Sequence, residues 1–217
     1  MNIEQARFNM IEQQIRPWNV LDQDVLDLLS IVKREAFVPS AYASLAFSDS
    51  EIPLPGGESM LMPKIEARML QEVAVKKHEN VLEIGAGSGY MAALLAYRAR
   101  HVTSIEIAPE LKALAEKNLA NAGVTNVTVE LGNGAEGWTS GAPFDVIVIS
   151  GGLEQLPEAF LKQIKVGGRI ACIVGQAPVM QMQLITRVSE TAYDTTTAFE
   201  TNVKLLSASA KPSRFTF

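Results

Sequence analysis

Val81-Leu82-Glu83-Ile84-Gly85-Ala86-Gly87-Ser88-Gly89-Tyr90 is the stretch on which the fold turns: an apolar strand carrying one acid, then three alternating glycines, then a helical pattern. Glycine has no Cβ, so a backbone turning through these positions can approach a ligand closely. The helix that follows opens with unpaired N–H groups. Strand, glycine turn and helix start together make a site for a small-molecule cofactor. A dinucleotide fingerprint places its third glycine three positions after the second, yet position 90 is Tyr90 and the third glycine is Gly89. Glu83 precedes the turn, and a carboxylate at the mouth of the site would repel a pyrophosphate while attracting a sulfonium and an ammonium group. Spacing and charge therefore favour S-adenosylmethionine over NAD.

The next strand, His101-Val102-Thr103-Ser104-Ile105-Glu106, alternates and ends in an acid. An acid there, at the end of the second strand of a βαβ unit, is placed to accept both hydroxyls of a ribose. Both cofactor classes share this feature, so Glu106 marks an adenosine ligand without choosing between them.

Bulk properties bound the remaining possibilities. A chain of 217 residues fits one α/β domain with an appended N-terminal layer, and 47% hydrophobic residues supply a core that needs neither disulfide nor metal. The net charge is −5 and the basic residues are scattered, which argues against a phosphate-tracking groove and makes nucleic acid an unexpected partner. The single cysteine, Cys172, falls in the apolar run Arg169-Ile170-Ala171-Cys172-Ile173-Val174. With no His or Lys beside it, it reads as a buried, inert thiol in a reducing compartment. Neither a signal-peptide pattern at Met1-Asn2-Ile3-Glu4-Gln5 nor an apolar run of membrane-spanning length is present. The expected location is the cytoplasm, with no membrane partner.

From about residue 75 strands and helices alternate, as in a doubly wound parallel sheet of Rossmann-like α/β type. Strands are predicted at Val81–Ile84, Val102–Glu106, Val127–Leu131, Asp145–Ser150 and Arg169–Val174, with helices at about 88–99, 109–122 and 157–165. Pro109 and Pro157 suit first helical turns. After Gly175, Gln181–Val188 and Thr197–Leu205 read as an antiparallel hairpin at one sheet edge, since no crossover helix fits between them. Residues 1–74 read as an N-terminal segment of helices and loops that forms a substrate wall or lid, and 75–217 as the cofactor-binding unit. Within the former, Asp22 caps a helix over Asp22–Val32 and a second helix covers Pro63–Val73, with Pro39, Pro53, Pro55, Gly56 and Gly57 breaking the chain between them.

The sequence resembles the protein-L-isoaspartate O-methyltransferase family over most of its length. The resemblance rests on Met10-Ile11-Glu12-Gln13-Gln14-Ile15, Arg34-Glu35-Ala36-Phe37-Val38-Pro39, the Pro53–Pro63 segment, Val81–Tyr90, Gly132-Asn133-Gly134, Pro143-Phe144-Asp145 and Gly167-Gly168. Glycine turns alone would point only to a methyltransferase; Arg34–Pro39 and its spacing to Val81 are specific to this family. The resemblance implies the fold of class I methyltransferases, S-adenosyl-L-methionine as cofactor, and methylation of L-isoaspartyl carboxylates in damaged proteins. It places Glu83, Gly85, Gly87 and Gly89 at the methionine end and Glu106 at the ribose. Asn133 and Gly134 fall at the adenine, where family members commonly carry Gly-Asp-Gly.

The substrate segment departs from the family. A pattern resembling Gly-Gln-Thr-Ile-Ser-Gln-Pro is here Gly57-Glu58-Ser59-Met60-Leu61-Met62-Pro63. Ser59 keeps a hydroxyl at the family threonine, whereas the family serine, taken to lie beside the acceptor carboxylate, is Leu61. Leucine offers no donor, and a buried carboxylate without donors is unfavourable by at least a few kcal/mol. The pocket is therefore expected to be more apolar or to draw donors from elsewhere. Ile149-Ser150-Gly151-Gly152 is expected to enlarge it.

An ionised carboxylate acceptor needs no general base. This suits a chain with two histidines, His78 and His101, both predicted in turns at the far end of the sheet. Trp18 reads as packing or a ligand cover, and Trp138 as adenine stacking or surface packing. Three readings stay open: isoaspartyl methylation in proteins or peptides, methylation of another acceptor such as a small metabolite, and a cofactor-binding protein without turnover. Metal ligation has no place in any of them.

Overall fold

The computed structural model describes residues 2–208. Helix α1 (Ile3–Met10) starts at Asn2, whose side chain accepts the Gln5 N–H, and runs through a π-helical stretch (Ile11–Ile15) into a short turn ending at Trp18. This helix was not expected. Only Arg7 and Met10 are buried along it, so its apolar stripe is too thin to register as a 3.6-residue period. Helix α2 (Gln23–Ile31) is capped by Asp22 through the Asp24 N–H, as the sequence predicts, and buries Val25, Leu26, Leu28 and Leu29.

A two-residue hairpin follows, β1 (Ile52–Pro53) against β2 (Ser59–Met60), turning at Pro55–Gly57. Helix α3 (Pro63–Val73) keeps its predicted bounds, with Ile65, Met69, Leu70 and Val73 inward. Then come β3 (Asn80–Ile84), α4 (Tyr90–Arg98), β4 (His101–Glu106), α5 (Pro109–Asn121), β5 (Val127–Leu131), β6 (Phe144–Leu153), α6 (Glu158–Gln163), β7 (Ile164–Gln176), β8 (Val179–Arg187) and β9 (Tyr193–Thr201). The seven-stranded sheet has the order β5-β4-β3-β6-β7-β8-β9. Its first five strands pair in parallel and the last two antiparallel.

Several expected boundaries move, among them the start of β7, at Ile164 instead of Arg169, and the end of β6, at Leu153 instead of Ser150. Helix α6 stops at Gln163, because Ile164 already pairs with Phe144 of β6. The last strand ends at Thr201 rather than Leu205. Beyond it the chain turns back to the sheet: Gly152 N–H donates to Lys204 O (2.8 Å) and Leu206 N–H to Gly152 O (2.8 Å).

The N-terminal layer has no core of its own. Ile65 and Met69 of α3 share one buried cluster with Leu94 of α4, Val146 of β6 and Ile173 of β7. A buried ion pair fastens this junction. Arg34 is fully enclosed, donates to Glu66 and to the Leu61 carbonyl (2.8 Å), and lies 5.2 Å from the centre of the Tyr90 ring. Burial pushes the Glu66 carboxyl up to about 7 against the pull of Arg34. Cys172 is enclosed and its thiol is pushed up to about 12 by burial, which fits an inert core residue.

Candidate functional site

A cleft of about 270 Å³ opens at the carboxyl ends of β3, β4 and β6, where ligands of open α/β sheets bind. Its volume is near the lower end of the roughly 300–1,000 Å³ typical of small-molecule sites. Glu106 and Ile107 line one side together with Leu111 of α5, and Gly132 to Ala135 line the floor of that half. The other half is bounded by Gly85, Gly87, Leu54, Ser59, Ser150 and Leu206.

Glu106 organises the first half. One carboxylate oxygen accepts the Gly87 N–H (2.9 Å) and the other the Ala108 N–H (3.0 Å). A carboxylate offers about four acceptor directions, so about two remain for hydroxyl donors in the cleft, and a ribose diol supplies two. The same bonds lock the glycine turn to the end of β4. Gly87 has φ +52°, and a Cβ there would come within 3.3 Å of Leu54 Cδ1. Asn133 turns its Oδ1 to the Ala135 N–H (3.0 Å), which fixes the side chain at the rim. Gly134 is a contact glycine, since a Cβ would fall 2.7 Å from Ile84 Cδ1. Diol acceptor, close backbone and apolar wall together fit an adenosine-bearing cofactor.

Three sequence-predicted residues are not at the cleft surface. Glu83 is fully buried, with its carboxyl between the Ser104 hydroxyl (2.6 Å) and the Ser150 hydroxyl (2.9 Å). Burial pushes it up to about 8; the serine bonds oppose the shift, and the charges of Glu106 and Glu66 reinforce it. Burial thus disfavours its charge and keeps it off the cleft surface, where the expected attraction on a cationic ligand would have to act. Gly89 (φ +85°) packs under the turn, where a Cβ would lie 3.2 Å from Ala115 Cα of α5, so it joins α4 to α5 and lines nothing. Leu61 is 7% exposed and belongs to the core. Its carbonyl is held by Arg34, so its side chain adds no wall to the pocket.

Ser59 does line the cleft, with its hydroxyl donated to Glu51 (3.0 Å). Gly85 is also there. Gly151 and Gly152 do not enlarge the space as expected, because β8 and the C-terminal segment fill it: a Cβ at Gly151 would lie 2.5 Å from Leu206 Cδ2, and one at Gly152 would lie 2.7 Å from Met180 Cε and 3.1 Å from Lys204 O. The C-terminal segment also lines the cleft through Leu206 and Ser207. Lys204 Nζ donates to Gly57 O (2.8 Å) and pairs with Glu58, while Ser207 donates to the same carboxylate. Burial works against the charge on Glu58, but Lys204 and Ser207 outweigh it and hold the carboxyl below its ordinary range.

Sequence reasoning missed Leu206 and Ser207 because their residues read as the end of a strand and its sequel. The available signal was the glycine pair at 151–152, which makes room for another segment. Trp138 lies against Gly132, 2.6 Å from where a Cβ would sit, and is not on the cleft wall. Trp18 stacks edge-on against Phe199 at 5.4 Å. His101 bonds Thr128 at the start of β4, away from the cleft. Among the described residues no group of three or more His, Cys, Asp or Glu is placed to hold a metal, and no helix is long and apolar enough to cross a membrane.

Comparison with known proteins gives the same picture over nearly the whole chain. A protein-L-isoaspartate O-methyltransferase from Protochlamydia amoebophila is 40% identical over 179 residues, covering 82% of this chain and 84% of its own. A protein-L-isoaspartate O-methyltransferase 2 from Marinobacter nauticus is 39% identical over 194 residues, 89% of each chain. Among solved structures, a Plasmodium falciparum protein described as a putative protein-L-isoaspartate O-methyltransferase, in complex with S-adenosyl-L-homocysteine, superposes with TM-score 0.80 at 16% identity, covering 95% of this chain and 98% of that one. Another protein-L-isoaspartate O-methyltransferase superposes with TM-score 0.78 at 24% identity, covering 92% of this chain and 65% of that one. These two share the fold. Residues 5–207 match the family described as Protein-L-isoaspartate(D-aspartate) O-methyltransferase, and the chain belongs to that family.

Proposed function

We propose that this protein transfers the methyl group of S-adenosyl-L-methionine to the carboxylate of L-isoaspartyl residues in proteins or peptides. Family membership and the names of the relatives support the reaction. The observation that carries the cofactor reading is Glu106, whose carboxylate is fixed by two backbone donors with acceptor capacity left facing the cleft.

Glu106 would hold the ribose hydroxyls, Asn133 and Gly134 would border the adenine, and Gly85 and Gly87 would let the methionine end lie close to the backbone. When bound, the cofactor supplies a methyl group on a positively charged sulfur. The chain's own work is then alignment, which can lower a displacement barrier by roughly 7–11 kcal/mol when the geometry is good. Leu54, Leu111 and Leu206 line the cleft with apolar surface. An acceptor carboxylate, with an ordinary pKa near 4, arrives ionised and asks no proton transfer of the protein.

The test is transfer of labelled methyl to an isoaspartyl peptide and to its normal aspartyl counterpart. Label on the isoaspartyl peptide alone is the expected result. Label in neither peptide, with S-adenosylhomocysteine still bound in calorimetry, would overturn the assignment, as would label found only on small molecules of a metabolite extract.

A further inference from the structure

Asn133-Gly134 is the only place in the chain where a glycine follows an asparagine. The side-chain carbonyl of an asparagine is open to attack by the backbone nitrogen of the next residue, and glycine, without a Cβ, leaves that nitrogen least hindered. Position 134 has no other residue to choose. Gly134 is buried, and a Cβ on it would lie 2.7 Å from Ile84 Cδ1 and 3.1 Å from Ile105 Cγ2. Packing of the cleft floor imposes the glycine, and the glycine leaves Asn133 open to attack.

We propose that Asn133 is a site of spontaneous deamidation, and that the aspartate formed there is a better partner for the adenine than the asparagine it replaces. In the first step the Gly134 nitrogen bonds to Asn133 Cγ, and the Gly134 proton departs with the side-chain NH2 as ammonia. Water then opens the succinimide ring. Opening at Cγ breaks the new bond and gives aspartate; opening at the main-chain carbonyl breaks the original peptide bond and gives isoaspartate.

Three features of the structure favour the reaction. Asn133 is exposed, in a segment without regular structure between β5 and β6, so water reaches it. No described residue accepts the Gly134 N–H, so no protein hydrogen bond holds the attacking nitrogen away. The Ala135 N–H donates to Asn133 Oδ1 at 3.0 Å, where a backbone donor stabilises the oxyanion that forms as a nucleophile adds to a carbonyl. That bond also closes a ring containing the Gly134 nitrogen, which keeps the side chain folded over the peptide unit that attacks it.

The consequence for binding rests on the reading that an adenosine lies against Asn133. With Oδ1 given to Ala135, the other head of the side chain is Nδ2, a donor, and the adenine amino group is a donor too. A carboxylate keeps one oxygen on the Ala135 N–H and offers the second to the adenine. Isoaspartate would instead lengthen the main chain by a methylene beside Gly134, where Ile84 and Ile105 leave no space. The folded protein should therefore yield aspartate in excess.

Ageing the purified whole protein at mildly alkaline pH, with and without S-adenosylhomocysteine, tests this by peptide mass mapping, with fragmentation to separate the two products. Asn133 should exchange its NH2 for OH faster than any other asparagine, and aspartate should exceed isoaspartate. At about ten times its Kd the ligand leaves about a tenth of the protein free, so conversion should slow about tenfold. Asn133→Asp should bind S-adenosylhomocysteine about 3- to 10-fold more tightly than unaged wild type, the difference between a charged and a neutral hydrogen bond. Thermal melting checks that the variant is folded.

Conversion at Asn133 no faster than at the other asparagines overturns the site. An excess of isoaspartate overturns the product assignment. Asn133→Asp affinity at or below wild type, or undiminished conversion with ligand bound, overturns the contact with adenine. If unaged wild type binds no S-adenosylhomocysteine, the cofactor reading of the cleft falls, and ageing of the ligand-free protein still decides the site.

Discussion

Glu83 and Glu106 stand on adjacent parallel strands, flank the same glycine turn, and look alike in sequence, yet the fold gives them opposite lives. Glu106 is at the end of β4, where two backbone N–H groups fix its carboxylate and leave part of it facing the cleft. Glu83 is one residue short of the end of β3 and points between its neighbouring strands, where two serine hydroxyls meet it and water does not. One carboxyl faces the cleft from the surface; the other is enclosed, and burial pushes its pKa up. The lesson is that proximity in sequence to a glycine turn does not fix which side of the sheet a side chain serves. The pleat and the register fix it.

The sharpest way to break this contrast is pH. A carboxyl whose folded pKa is raised binds protons more tightly in the native state, so its stabilising contribution is present below the unfolded value of about 4.5 and is lost as pH rises through the folded value. Glu83, at about 8, and Glu66, at about 7, share this sign. Wild type should therefore lose stability between pH 5 and 8.5, on the order of a few kcal/mol, and Glu83→Gln should flatten much of that slope in denaturant titrations. Equal slopes in the two proteins would mean that Glu83 is ionised after all. Glu58, Glu79 and Asp145 have lowered values and act at more acid pH, outside this window.

The surface member of the pair should show itself in binding. Glu106→Ala removes the acceptor for the ribose and frees the Gly87 N–H, and each charged hydrogen bond is worth about 1.5–3 kcal/mol. Affinity for S-adenosylhomocysteine should fall roughly 30- to 100-fold in calorimetry. A change below threefold would strip Glu106 of its role. The glycine turn divides in the same manner. Gly89→Ala should cost about 1–3 kcal/mol of stability through its positive φ and the approach to Ala115, while cofactor affinity of the folded protein holds. A loss of affinity without a loss of stability would place Gly89 at the ligand instead of under it. The smallest effect is a reference point far from both acids. Ala74 ends α3 at φ +43°, and Ala74→Gly should raise stability by about 0.5–1 kcal/mol, read as a higher denaturation midpoint. A lower midpoint would show that this left-handed residue carries no strain.

Much of the molecule could be read from the chain. The parallel strands, the capping of α2 by Asp22 and the bounds of α3 all follow from local signals, because apolar period, cap and proline act within a few residues of one another. That Glu106, Asn133 and Gly134 would line one cleft was legible for a related reason: strand ends of a βαβ unit converge on one edge by topology alone. What escaped was long-range. Leu61 was assigned to the pocket because its segment is there, but Arg34 takes its carbonyl and the side chain joins the core. Gly151 and Gly152 promised space, and Leu206 occupies it at Gly151 while Met180 and Leu205 occupy it at Gly152. No periodicity in either segment announces such a meeting.

The sequence by itself determined the class of the fold, the edge of the sheet where the cleft opens, and the family to which the chain belongs, because these depend on residue type and spacing along one dimension. Only the tertiary structure decided that Glu83 is enclosed beneath the cleft and that Leu206 and Ser207 of the C-terminal segment line it. Burial sets the charge of a carboxyl, and burial is a property of what the rest of the chain brings against it.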